Sequence, residues 1–301
     1  MIKPLLIVVA GPTASGKTDL AIALAQHYST SILSADARQF YAEMHVGTAK
    51  PSTTQLQAAP HHFVGHISIH QHYNAGLYQA EATQQLEKLF KNNPVVVMVG
   101  GSGLYINAVI EGIDPMPAVT DGIRNEVMQF YNTKGLLPLQ EWLKKIDPEY
   151  YKIVDLHNHT RIIRAIEVSL AANQPYTAFR NKKPAESYFN SLIVAPDWPR
   201  PVLYQRIDER VLQMIANGLQ EEAATLYQHF HLKALQTVGY SEWKLFFEHQ
   251  QSLASTIALI QQHTRNYAKR QLTWFRRQAP VHWLPPAEAF HACKNLVDKF
   301  I

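Results

Sequence analysis

Eight residues near the start of the chain have the types and order of a phosphate-binding loop: Gly11-Pro12-Thr13-Ala14-Ser15-Gly16-Lys17-Thr18, spaced G-x-x-x-x-G-K-T. The two glycines let the backbone fold around a phosphate, and the N–H groups that open the next helix face it with the positive end of the helix dipole. Lys17 supplies charge for the terminal phosphate, and the Thr18 hydroxyl is placed to ligand Mg2+. Such a loop binds a di- or triphosphate. Asp36 is the second candidate: a carboxylate that could hold magnesium through water, act as a general base, or simply cap a helix. Arg206 and Arg210, one turn apart, either reach over a crevice to phosphates or form an exposed helix pair. In Gly100-Gly101-Ser102-Gly103 the glycines allow a ligand close to the backbone and Ser102 offers it a hydroxyl.

The elements that must position these groups are written around them. Residues 5–10 form an apolar, partly β-branched run, the mark of a buried parallel strand, and Leu20, Ala21, Leu24 and Ala25 recur at helical spacing after the loop. Residues 31–36 read as a second strand ending at Asp36, and residues 60–63 with 67–69 as a third. A helix over 73–91 and a buried strand over 95–99 follow. In a parallel sheet the carboxyl ends of strands border the ligand crevice, which places Asp36 beside the phosphate loop. Between 115 and 184 helical periods replace the Val/Ile runs, as in 136–146 and 159–172. A strand over 192–196 then restores the sheet, and a helix bearing Arg206, Arg210 and Met214 ends near Gly218. The predicted fold is α/β, a P-loop parallel sheet flanked by helices, with a helical insertion domain at 115–184 and a catalytic core of 1–114 and 185–301.

Composition narrows the class. The chain has 301 residues, 47% apolar and 17% charged, enough for a sizeable core. Its single cysteine, Cys293, excludes an intramolecular disulfide and fits a reducing cytoplasm. No apolar run approaches the roughly 20 residues of a membrane span, and the N-terminal run passes straight into the phosphate loop, as a strand and not a signal peptide. His61 and His62 have no partners at zinc-like spacing. The net charge of +4 is mild, but its distribution is not. Between Glu248 and Glu288 there is no acidic residue, whereas Arg265, Lys269, Arg270, Arg276 and Arg277 fall there. On a helix over 252–277 they lie opposite a face of Leu253, Ile257, Ile260, Thr264, Tyr267, Gln271 and Phe275, a pattern that suits RNA. Tyr267 and Trp274 are either base-stacking or core aromatics.

Together these stretches resemble the tRNA dimethylallyltransferase (isopentenyl-tRNA transferase) family. The resemblance is carried by Gly11–Thr18, Ser34-Ala35-Asp36-Ala37-Arg38-Gln39, Val46-Gly47-Thr48-Ala49-Lys50-Pro51 and Gly100-Gly101-Ser102-Gly103-Leu104-Tyr105. It continues in Arg161-Ile162-Ile163-Arg164-Ala165-Ile166-Glu167-Val168, Val238-Gly239-Tyr240 and Thr264-Arg265-Asn266-Tyr267-Ala268-Lys269-Arg270-Gln271.

The resemblance implies prenyl transfer from dimethylallyl diphosphate to N6 of the adenosine 3′ to the anticodon, with a phosphate loop that holds a prenyl diphosphate rather than ATP; the lack of an obvious association segment in the sequence points to a monomer. It implies Asp36 as general base. Lys17, Arg210 and Mg2+ on Thr18 would neutralise the leaving diphosphate, and Ser102 would orient the amine. It further implies a tRNA grip from Asp36, Ala37, Arg38, Gln39, Ser102, Arg124, Thr160, Arg161, Ile162, Ile163, Arg164, Arg265, Lys269 and Arg270, with the insertion closing over the anticodon arm. The sequence departs from the family at Ala37, commonly serine, and at Ser102, commonly threonine. Rival readings are a P-loop kinase, a prenyltransferase acting on free adenylate, and an RNA-binding protein with a decayed site. Lys17, Thr18 and Asp36 are all present, which weighs against decay.

Overall fold

The structure, a computed structural model, describes residues 3–180, 187–277 and 280–300. Strand β1 (Leu5–Ala10) is buried at every position, as a parallel strand covered on both faces requires. It leads through the phosphate loop into α1 (Lys17–His27). Strand β2 (Ile32–Ser34), a short α2 (Thr53–Ala58), β3 (His61–His62), α3 (Ala75–Phe90), β4 (Val95–Gly100) and α4 (Gly103–Ile110) follow. Next come α5 (Asp121–Lys134), α6 (Leu136–Ile146), α7 (Pro148–Ile153) and α8 (His159–Ala172), with no strand among them. The sheet resumes with β5 (Asn190–Pro196), then α9 (Arg200–Ala216), α10 (Leu219–Leu226), α11 (Trp243–Phe247), α12 (Leu253–Arg277), β6 (Val281–Leu284) and α13 (Ala289–Val297).

The six strands pair in the order β3-β2-β4-β1-β5-β6, all parallel. Register sets the site. Ala10 lies opposite Gly100 and Ser34 opposite Val99, so β1, β2 and β4 end level and their following loops share one edge. Alternate residues of β1 serve opposite cores. Leu5, Ile7 and Val9 pack with Leu20, Leu24, Cys293 and Val297, whereas Leu6, Val8 and Ala10 pack with Tyr78, Ala82, Leu86 and Phe275. The third strand is shorter than expected: residues 67–69 contribute only a bridge from Ile67 to Tyr41. Left-handed Phe63 (φ 64°) and Gly65 (φ 61°) turn the chain off the sheet after His62.

The chain divides into two compact units, Met1–Glu111 with Glu186–Ile301, and Gly112–Ala185. The second has its own core of Val127, Leu139, Leu143, Tyr150, Ile162, Ile163, Ala165 and Ile166. Its Asp147 is fully buried and satisfied, capping α7 through Tyr150 N–H (2.9 Å) and accepting from Thr177 N–H (2.8 Å). Among the described residues no helix is long and apolar enough to cross a membrane.

Candidate active site

The phosphate loop is braced from outside. Gly11 (φ 137°), Ala14 (φ 62°) and Gly16 (φ 83°) all take positive φ, and Ala14 does so despite its side chain. Arg206 Nε donates to Ala14 O (2.9 Å) and Trp198 Nε1 to Ser15 O (2.9 Å), with the Arg206 guanidinium stacked 4.5 Å above the Trp198 ring. Lys17 Nζ donates to Pro12 O (3.1 Å), and Thr13 N–H to Gln271 Oε1 (3.1 Å). The loop's outward carbonyls are therefore held by side chains, while residues Thr13–Thr18 line a cleft of about 790 Å3. Ser15 Oγ is buried there without a hydrogen-bond partner.

Three charged groups meet in this cleft. Burial pushes Lys17 down to about 8, against the opposing pull of Asp36 and with further lowering from Arg210. Burial also lowers Arg210, again opposed by Asp36. Both half-buried cations are thus partly desolvated in advance, and an anion entering the cleft relieves that cost. Asp36 lies two residues beyond β2. Its Oδ1 accepts from Arg38 N–H (3.1 Å) and its carbonyl from Gln39 N–H (3.0 Å), a turn and not a helix cap. Asp36 and Arg210 also border a small inner cavity of about 50 Å3, lined in part by the aliphatic side chains of Ile207, Val211, Met214, Val238 and Ile260 and in part by polar ones, Gln271 among them.

The glycine loop differs from its expected use. A Cβ on Gly100 would lie 2.3 Å from Ala35 O, one on Gly101 2.2 Å from Gln271 Nε2, and one on Gly103 2.3 Å from the Trp274 ring. Those spaces are filled by protein, so the glycines admit β2 and α12 rather than a ligand. Ser102 Oγ accepts from Ala37 N–H (3.0 Å) and is also bonded to the Tyr267 hydroxyl.

The 45–50 loop closes the opposite side of the cleft. The Glu222 carboxylate accepts from His45, Val46 and Gly47 N–H (2.8, 2.7 and 2.9 Å) and from the Tyr240 hydroxyl (2.7 Å). Gln39 Nε2 donates to Thr48 O (3.3 Å) and Ala49 O (3.1 Å), which commits its amide to this loop. Lys50 donates to the Tyr41 and Ala42 carbonyls, so it braces the loop as well as lining the cleft.

The basic helix is less uniform than its sequence. Arg265 pairs with Asp208 and Arg276 with Asp197 (3.5 Å), carboxylates supplied by distant segments. Lys269, Arg270 and Arg277 remain exposed. Tyr267 lies under Arg38 (4.1 Å) with its hydroxyl on Ser102, and Trp274 packs on Gly103, so neither ring is open for base stacking. In the helical unit Arg124 pairs with Asp121 (3.5 Å) and Arg164 with Glu167 (3.7 Å). Thr160 and Arg161 are exposed. Ile162 (0% exposed) and Ile163 (7%) point into that unit's core, which removes their side chains from any RNA surface.

Among the described residues no cluster of three His, Cys, Asp or Glu side chains forms a ready-made metal site. Oxygen donors on the cleft, Thr18 and Asp36 among them, suit a hard cation that keeps most of its waters and is held mainly by substrate phosphate, as Mg2+ is. Burial lowers both His61 and His62; His61 Nδ1 donates to Ala59 O (2.8 Å), a structural use.

The family model for IPP transferase matches residues 39–278. The chain belongs to the IPP transferase family. It is 45% identical to the tRNA dimethylallyltransferase of Christiangramia forsetii, over 97% of this chain and 96% of that one. The corresponding protein of Flavobacterium johnsoniae is 43% identical over 92% of each chain. The crystal structure of the full-length tRNA isopentenylpyrophosphate transferase from Bacillus halodurans superposes with a TM-score of 0.73 at 30% identity, covering 99% of this chain and 97% of that one. Within this chain, sequence patterns passed over Glu222, Trp198 and the bridging role of Gln271. Only Gln271 left a trace, as an amide on an otherwise mainly apolar helix face.

Proposed function

We propose that this chain transfers a dimethylallyl group from dimethylallyl diphosphate to N6 of the adenosine 3′ to the anticodon of tRNA, acting as a monomer in the cytoplasm. The observation that carries the reading is the convergence of Lys17, Arg210 and Asp36 on one cleft edged by the phosphate loop. The loop and the two desolvated cations bind the diphosphate and stabilise the charge that grows as its bond to C1 breaks. The aliphatic wall beside Asp36 takes the five-carbon tail. N6 forms the new bond to C1 and gives its proton to Asp36; the amine's lone pair is delocalised into the ring, so this proton acceptor matters. Ser102, fixed by Ala37 N–H, orients the amine from the glycine-loop side. Thr18 would hold Mg2+, which when bound supplies further positive charge to the diphosphate. Exposed Lys269 and Arg270 on α12, with Arg38, Arg124, Thr160 and Arg161, grip the RNA while the target base leaves its stack.

A transfer assay tests this with purified protein, Mg2+ and labelled dimethylallyl diphosphate, offering unmodified tRNA and AMP in parallel and following ATP hydrolysis. Label in tRNA alone is expected. Label in AMP alone, or ATP turnover without transfer, would overturn the reading.

A further inference from the structure

Strand register holds the two substrate-bearing loops level only as far as Ala10 and Gly100, the last paired residues of β1 and β4. Beyond that rung the phosphate loop and the glycine loop run free of the ladder. A side chain from α12 spans them. Gln271 Oε1 accepts from Thr13 N–H (3.1 Å) in the first loop, and Gln271 Nε2 donates to Gly101 O (2.8 Å) in the second. The amide orientation is fixed chemically, because a flipped amide would set donor against donor and acceptor against acceptor. Gly101 is what lets it in, since a Cβ there would lie 2.2 Å from Nε2. Gln271 is buried, and truncation would leave an N–H and a carbonyl at the site without partners.

We infer that Gln271 is a positioning residue: one more rung, supplied from outside the sheet, that fixes the separation between the phosphate loop and the glycine loop. This rests on the function proposed above. The phosphate loop carries the departing diphosphate, and the glycine loop carries Ser102, which holds the peptide next to Asp36. Their separation therefore sets the distance between C1 and the attacking nitrogen, where a displacement of about 1 Å costs on the order of 10²-fold in rate.

The test uses the full chain with Gln271→Met, which keeps length and removes both hydrogen bonds. Phe275→Leu is the control, loosening the same helix one turn on while leaving both Gln271 hydrogen bonds in place. Steady-state transfer, pyrophosphate binding by calorimetry and thermal melting are measured on each. Gln271→Met should lower kcat by about tenfold or more while KM for tRNA stays within about threefold, and pyrophosphate affinity should fall about three- to tenfold. Phe275→Leu, at a comparable loss of melting temperature, should keep kcat within about threefold of wild type. If the methionine variant does not fold, Gln271→Asn, whose amide is one methylene short, should give the same split. Wild-type kcat in the glutamine variants, or equal kcat losses in both sets at equal melting loss, would overturn the inference. If the wild type transfers no prenyl group to tRNA, the functional reading fails separately, and pyrophosphate binding decides alone: unchanged affinity in the glutamine variant rejects the rung, weakened affinity with Phe275→Leu unaffected upholds it.

Discussion

Two stretches of this chain offer successive backbone N–H groups to an anion, and they differ in what answers them. At His45–Gly47 the anion is internal: Glu222 accepts from all three N–H groups and from Tyr240. At Gly11–Thr18 no carboxylate of the described residues accepts from the loop, and the neighbouring side chains hold its carbonyls instead. The same backbone device is braced by an internal carboxylate in one place and left open to the cleft in the other. Position decides which. The phosphate loop leaves the end of a central strand and faces open space, whereas the 45–47 turn is packed against Tyr240 so closely that a Cβ on Gly47 would lie 2.6 Å from its ring.

Asp36 gives the sharpest test of the open cradle as a chemical site. Asp36→Ala should lower single-turnover prenyl transfer by on the order of 10²–10⁴-fold while filter-binding affinity for tRNA persists. Parallel loss of binding and rate would make Asp36 an RNA contact only. The braced loop should answer in stability. Glu222→Ala should cost about 2 kcal/mol, seen as a fall of roughly 5 °C in melting temperature, because several charge-assisted hydrogen bonds vanish at a half-buried site. Added formate should recover part of it by occupying the vacated cradle, and no recovery would argue against an anion-specific turn.

A pH series separates the two cradles further. Lys17 is lowered to about 8, so between pH 8 and its ordinary 10.5 the folded protein has shed a proton that the unfolded chain retains. Unliganded stability should therefore gain from Lys17 as pH rises through that window. Diphosphate binding needs the charged form, so pyrophosphate affinity without divalent metal should fall above pH 8, by at most about tenfold per unit. Lys17→Met should remove this component, and an identical pH profile in the variant would reject it. The smallest effect is expected outside both cradles. Replacing Lys269 and Arg270 with alanine should reduce the slope of log affinity for tRNA against log salt by about 1–2, leaving pyrophosphate binding unchanged.

Local signals made much of this legible. The phosphate loop, the helices called at 136–146, 159–172 and 252–277, and the buried strands at 5–10 and 95–99 follow from patterns within a few residues of one another. Pairings over long separations did not. Arg265 looked unopposed because Asp208 lies fifty-seven residues away. Gly101 and Gly103 read as room for a ligand because nothing local says that Gln271 and Trp274 occupy it. Ile162 and Ile163 lay inside a motif tied to tRNA, yet their helical spacing already matched a core face. Strand β6 leaves no such signal because Val281–Leu284 is too short to show a period.

The helical unit interrupts the sheet between α4 and β5, and this orders events during synthesis. Strand β1 pairs with both β4 and β5, and Leu5 meets Asn190 only after the whole of Gly112–Ala185 has been made. At roughly 5–20 residues per second, one edge of the central strand stays unpaired for roughly 10–40 s on the ribosome. Over that interval Leu6 and Val8 lack a neighbour on one side, an aggregation-prone state. Slowing elongation within the insertion should thus lower the soluble yield of this chain more than slowing it after Pro196.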